Sequence, residues 1–360
     1  MRNSLEQNQT AAALALSQSF ESDNADQPDA LLKLAGILAK YSQHERAAEV
    51  YGRINLLRPH SPNVLYNQGI ALYQCRQLDR AVAALADSAD LDGTPAQPHY
   101  VLALIAGERL DHENSIQELR HAIQRNGRQA DYYSLLGEEY KRVGYWQGAA
   151  DAFRRAADLE PVNSTNFLRL GDALFRIPDL EGAIRAFEQA DRLDSGIPQI
   201  NYLIGLACQK NGQFERAASF YERQLKLDPD HLNSLLGAGE AAIEQNQLDQ
   251  AEEFLHSALK NSPEDAQANY DLGLVCFKTQ RYERSIELFR RVLRLRPDHT
   301  EAEYHVYLAL SRSHQQAAAL DALAAWKKLE ALDRKVRSQE VAYESARVAS
   351  WKGNGLQGVN

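Results

Sequence analysis

Apolar positions along this chain recur at helical spacing in short, evenly repeated bursts. The clearest burst is Ala130 to Asn163, ADYYSLLGEEYKRVGYWQGAADAFRRAADLEPVN. Its first half puts Tyr133, Leu136, Gly137 and Tyr140 on one helical face, and its second half does the same with Trp146, Ala149, Ala150, Phe153 and Ala156. Gly144 breaks the run between the halves, and Pro161 stops the second because proline cannot continue a helix interior. The pattern predicts a hairpin of two helices, with small Gly137 and Ala149 at the crossing and large Trp146 and Phe153 filling the space around it.

The same window of 34 residues begins at Pro28, Pro62, Ala96, Ala130, Ser164, Pro198, Leu232, Ala266 and Thr300, and runs nine times to Asp333 without insertion or deletion. The twentieth place is always small: Ala47, Ala81, Ser115, Ala149, Ala183, Ala217, Ala251, Ser285 and Ala319. Four places on, the residue is always large: Tyr51, Leu85, Leu119, Phe153, Phe187, Tyr221, Leu255, Phe289 and Leu323. The eighth place is Gly or Ala until Tyr307, and prolines close five windows. A fixed period of this kind decides the architecture.

These columns resemble the tetratricopeptide repeat family over residues 28–333. Pro178, where a glycine usually separates the helices, departs from the family pattern. The resemblance implies an all-α fold, a right-handed superhelical α-solenoid of nine helix-turn-helix repeats, with first helices lining a concave wall. Residues 1–27 read as an N-terminal arm or capping helix, 334–351 as a C-terminal capping helix over the ninth repeat, and 352–360 as a flexible tail.

Composition narrows the function. Net charge is −9, which does not draw the chain as a whole to phosphate backbones, so nucleic acid is not the expected partner. The local basic run Arg290, Arg291, Arg294 and Arg296 reads as a solvated helix face. Cys75, Cys208 and Cys276 are odd in number and far apart, which speaks against a disulfide framework or zinc site and for a reducing, cytoplasmic setting. No stretch approaches the roughly 20 apolar residues of a membrane span. The start of the chain lacks the long apolar run and positive flank of a secretory signal, and Met1 suggests that nothing upstream has been removed. No metal, nucleotide or nucleophile motif occurs, so no cofactor, metal or catalytic residue is expected.

The fifth, ninth and twelfth places of each window share one stripe of the first helix. Here that stripe carries Tyr66, Ile70 and Tyr73, then Tyr100 and Leu104, Phe175, Tyr202 and Leu206, Tyr270, Leu274 and Phe277, and Tyr304. Ser134, Glu138, Lys141, Asp172 and Glu240 interrupt it with a polar centre. Two readings stand: the tyrosines pack against neighbouring repeats, or the stripe is a groove for a protein or peptide segment. Some members of the resembled family clamp a terminal carboxylate with a fifth-place lysine and a ninth-place asparagine; neither occurs here, so recognition falls to phenols and aliphatic groups. The expected function is a non-catalytic interaction scaffold. The alternative is a regulatory or substrate-recruiting subunit of a separate enzyme, such as a glycosyltransferase.

Overall fold

The computed structural model describes residues 10–91 and 95–353, with the side chains of 10, 11, 13, 341 and 344–353 excepted. Residues 1–9 of the N-terminal segment and 354–360 of the tail therefore lie outside the described residues. Among the described residues there are helices and no strand. The chain divides at Ala173 and Leu174 into two compact units.

The first unit opens with α1 (Thr10–Asp23), followed by the pairs α2 (Pro28–Lys40) with α3 (His44–Leu57), α4 (Pro62–Gln74) with α5 (Leu78–Ala89), α6 (Gln97–Glu108) with α7 (His112–Arg125), and α8 (Ala130–Arg142) with α9 (Trp146–Leu159). Helix α10 (Ser164–Arg176) carries the chain into the second unit. There α11 (Leu180–Leu193) is followed by α12 (Ile200–Lys210) with α13 (Phe214–Leu227), α14 (Leu232–Glu244) with α15 (Leu248–Asn261), α16 (Ala266–Lys278) with α17 (Tyr282–Leu295), and α18 (Thr300–Arg312) with α19 (Gln316–Gly353). Within each unit consecutive helices pack on one another, and in the second the first helices α12, α14 and α16 also touch directly. This is the all-α hairpin array that the repeat predicts.

The small and large columns do the packing. All nine twentieth-place residues are at most 2 % exposed. Where that place is serine, its hydroxyl fills a second role: Ser115 Oγ donates to the carbonyl of Ala103 at 2.9 Å, and Ser285 Oγ to that of Gly273 at 3.0 Å. The eighth-place glycines leave room for the large residue of the same hairpin. A Cβ on Gly69, Gly205 or Gly273 would stand 2.5 Å from Leu85, 2.8 Å from Tyr221 or 2.6 Å from Phe289.

The turn between paired helices needs one residue in the left-handed region. Gly144 and Gly212 provide it freely, but Ser42, Arg76, Leu110, Asn246, Gln280 and His314 take the same conformation with φ of 58° to 62°. Their backbone closes the helix ends: the amide of Asp111 donates to Ala106 and that of Gln77 to Leu72, both at 2.9 Å. Pro178 cannot enter that region, and the turn at that point instead closes from the Asp179 amide to Ile177 at 2.7 Å, with Asp179 capping α11 through the Gly182 amide.

The two ends of the array differ from each other. Helix α1 rests Leu14 against the first core cluster, and Glu21 is ion-paired with Arg46 and Arg53, while Leu16 and Phe20 face solvent. At the other end no break follows Asp333, because α19 runs uninterrupted from the ninth repeat to Gly353. Residues 334–340, 342 and 343 are all exposed, so this stretch does not fold back over the ninth repeat. Good helix formers fill 327–340, with neither glycine nor proline among them, so nothing interrupts the helix there. Trp326, half-buried, is instead covered by Tyr304 of its own hairpin, ring centroids 5.1 Å apart.

Candidate functional site

All twelve stripe residues are partly buried, which satisfies neither extreme of the two readings: each ring or aliphatic chain is anchored in the array and keeps a face in solvent. In the first unit Tyr66, Ile70 and Tyr73 of α4 and Tyr100 of α6 lean on one core cluster, and Leu104 lies one turn along α6. Tyr100 stacks at 5.0 Å on Tyr132, a third-place residue that sequence spacing did not single out. Tyr73 is committed internally. Its hydroxyl donates to Glu108 at 2.5 Å, and Arg76 holds the other oxygen of that carboxylate at 2.8 Å. Burial and the adjacent carboxylate push the Tyr73 phenol up to about 12, and the phenol's hydrogen bond in turn holds Glu108 below the usual carboxylate range. Burial also raises the Tyr66 and Tyr100 phenols, so both stay neutral donors at neutral pH.

The polar centre closes on itself. Lys141 reaches Asp172 at 3.2 Å, Arg169 Nε reaches Glu138 at 3.1 Å, and Arg169 Nη1 donates to Ser134 Oγ at 3.0 Å. Ser134 in turn donates to the Asn166 side chain at 2.8 Å. Arg169, a sixth-place residue, was missed because its neutralising role depends on contact between α8 and α10 rather than on any spacing within a helix.

In the second unit Tyr270, Leu274 and Phe277 of α16 pack into one cluster, and His305 of α18 joins them to Tyr304. The His305 ring lies 5.2 to 6.2 Å from Tyr270, Phe277, Phe289 and Tyr304. Its Nδ1 sits 2.8 Å from the Glu301 carbonyl, which requires a proton there and leaves Nε2 as an acceptor. The Tyr270 hydroxyl is 3.3 Å from the same Nδ1. Burial holds His305 below its ordinary value, and burial likewise pushes the Tyr270 phenol up to about 12.

A second arrangement recurs. Tyr270 packs at 4.9 Å against the ring of His299, whose side chain caps α18 by accepting the Ala302 amide; Tyr202 packs at 5.2 Å against the inclined ring of His231, which caps α14 by accepting the Ser234 amide. Each of these fifth-place tyrosines is thus braced by the cap of the next repeat, and each cap must present an unprotonated Nδ1, leaving Nε2–H as a donor. Leu206 lies one turn from Tyr202 on α12. Phe175 stands apart from these clusters, with the Lys210 ammonium 5.8 Å from its ring centre. Among the described residues no group of three histidine, cysteine or carboxylate side chains is arranged to hold a metal, the cysteines are free, and no helix is long and apolar enough to cross a membrane.

Repeated helical hairpins whose first helices carry braced, half-buried aromatic rings define a helical-repeat protein. The family model of the cilia and flagella-associated protein 70 C-terminal domain, a tetratricopeptide module, matches residues 3–196, and two tetratricopeptide repeat models match 198–231 and 236–300. The chain belongs to the tetratricopeptide repeat family. No curated protein matches it. Solved structures similar to it include MamA (41-end) from Desulfovibrio magneticus RS-1, 23% identical, covering 46% of this chain and 94% of that one with a TM-score of 0.45. YrrB, described as a tetratricopeptide protein with an unusual peptide-binding site, is 20% identical over 52% of this chain and 96% of its own, TM-score 0.46. PilF of Pseudomonas aeruginosa is 16% identical over 56% and 92%, TM-score 0.44.

Proposed function

We propose that this protein is a non-catalytic cytoplasmic scaffold that holds a segment of another protein against the first helices of its repeats. Proteins of this repeat family generally mediate protein–protein interaction. The observation that carries the reading here is the bracing of half-exposed phenols: Tyr270 and Tyr202 are fixed by capping histidines, so their exposed faces lose little freedom when a ligand binds. Tyr66 and Tyr100 offer neutral donors beside apolar Ile70 and Leu104, a combination suited to an apolar side chain flanked by backbone carbonyls. The polar centre, already neutralised by its own ion pairs, contributes register rather than attraction.

The test is selection of binding peptides from a displayed random library on the immobilised protein. Selected peptides should carry apolar anchors, and Tyr66→Ala or Tyr270→Ala should weaken their binding by about tenfold, the effect of losing one well-packed aromatic contact. Binding should change little with salt. Peptides bound equally well by both variants would remove the groove from this account.

A further inference from the structure

The outer edge of the second unit carries a feature unrelated to the tyrosine stripe. Helices α11, α13, α15 and α17 each end with a cation in their last turn: Arg192, Lys226, Lys260 and Arg294. All four fall at one place of the repeat, and the same place in the ninth repeat is Lys328. In the first four repeats that place holds Leu56, Asp90, Gln124 and Asp158. All five cations are exposed, and among the described residues none is within ion-pair distance of a carboxylate. Arg192 touches only the Gln189 amide oxygen, at 2.6 and 3.1 Å.

Attraction to the carbonyl end of a helix explains one last-turn cation. It does not explain five in register, all exposed and without a carboxylate partner, in a unit where Arg216 is paired with Glu188 and Arg281 with Glu252. In the first unit α7 also ends in a cation, Arg125, but that side chain is occupied by His99 and the Ala89 carbonyl. The row has an apolar companion. Leu227, directly after Lys226, is 72% exposed, and Leu295, directly after Arg294, is also exposed.

We propose that this row is a second docking edge, which takes an acidic protein segment carrying apolar side chains. Second helices one repeat apart do not pack on each other as the first helices do, so the rungs stand farther apart than the roughly 10 Å of packed helices and match carboxylates set at intervals rather than a dense run of phosphates. The exposed Leu227 and Leu295 beside two of the rungs offer contacts to apolar side chains, which a phosphate chain does not carry.

The experiment uses the full chain and a fluorescein-labelled peptide of repeating Glu-Leu-Glu-Glu, read by anisotropy at low and physiological salt. The triple change Lys226→Gln, Lys260→Gln and Arg294→Gln should lower affinity about tenfold, and Arg80→Gln, Arg154→Gln and Arg155→Gln in the first unit less than about twofold. If the triple variant loses its helical circular dichroism, Lys226→Gln and Lys260→Gln alone should each weaken binding by about twofold to threefold. Tyr270→Ala should leave this binding intact, which separates the edge from the groove. Equal loss in both triple variants, equal binding of a peptide with serine in place of leucine, or preferential binding of inorganic polyphosphate or phosphatidylserine vesicles would overturn the proposal.

Discussion

A Cβ on Gly137 would lie 2.5 Å from the ring of Phe153, which is fully buried and has nowhere to retreat. Alanine normally gains about 1 kcal/mol over glycine inside a helix. At Gly137 the clash outweighs it, so Gly137→Ala should destabilise by about 1–3 kcal/mol, the range for overpacking. Ala103 and Leu119 occupy the corresponding places of the third repeat, so adding Phe153→Leu should recover part of the loss. Chemical denaturation of the two single variants and the double variant measures this as a coupling energy.

Leu110 holds its backbone in the left-handed region at φ 61° while its side chain is 75% exposed. Replacing it with glycine relieves strain of roughly 1–2 kcal/mol and gives up almost no buried area. Part of that gain is offset by the greater freedom of the unfolded chain. Leu110→Gly should therefore raise the melting temperature. Gln117→Gly, at an exposed position inside the following helix α7, should lower it, because glycine there costs about 1 kcal/mol of helix propensity and relieves no strain.

Asp271 is 3% exposed, with Gln267 donating to both its oxygens at 3.0 and 3.1 Å. Burial pushes its carboxyl up to about 7, aided by the negative charge of Glu240 and Asp265. A raised carboxyl keeps its proton in the native state while the unfolded chain releases it. Stability is thus lost as pH rises from about 4 to about 7, by about 1.4 kcal/mol per pH unit from this group. Asp271→Asn should remove that slope from thermal melts taken across the range, with the larger stabilisation at the alkaline end.

His299 works in the opposite sense. Burial holds it below its ordinary value, so the unfolded chain takes up the proton first, and stability present above about 6.5 falls as pH drops through the native value. Asparagine also caps helices. His299→Asn should keep α18 in place and flatten the acid limb of the same melts, whereas His299→Leu should lower stability at every pH.

Deleting the residues after Asp333 should cost little. The described side chains from 334 to 343 are exposed, and surface positions change stability by about 0.5 kcal/mol or less. A shortened chain that melts with the full one confirms that the ninth repeat is covered from within; early fraying of α18 would show that the far end of α19 returns to it.

The repeat, its period and its packing columns were determined by the sequence, because each hairpin is a local structure whose two faces are fixed by helical spacing alone. Gly137 with Phe153 and the serine variants at Ser115 and Ser285 follow that rule without reference to the rest of the chain. The stripe residues Tyr66, Tyr270 and their companions could likewise be placed on one helix face. Tertiary structure decided what holds them. The bracing of Tyr270 by His299, the placing of the His305 ring among Tyr270, Phe277 and Phe289, and the closure of Arg169 on Glu138 and Ser134 all join residues of different helices, and no intrahelical period encodes such pairs. The far end of α19 was decided the same way: its residues predict a helix, and only the structure shows that this helix continues α19 without a turn of the kind made elsewhere by residues such as Arg76 and Leu110.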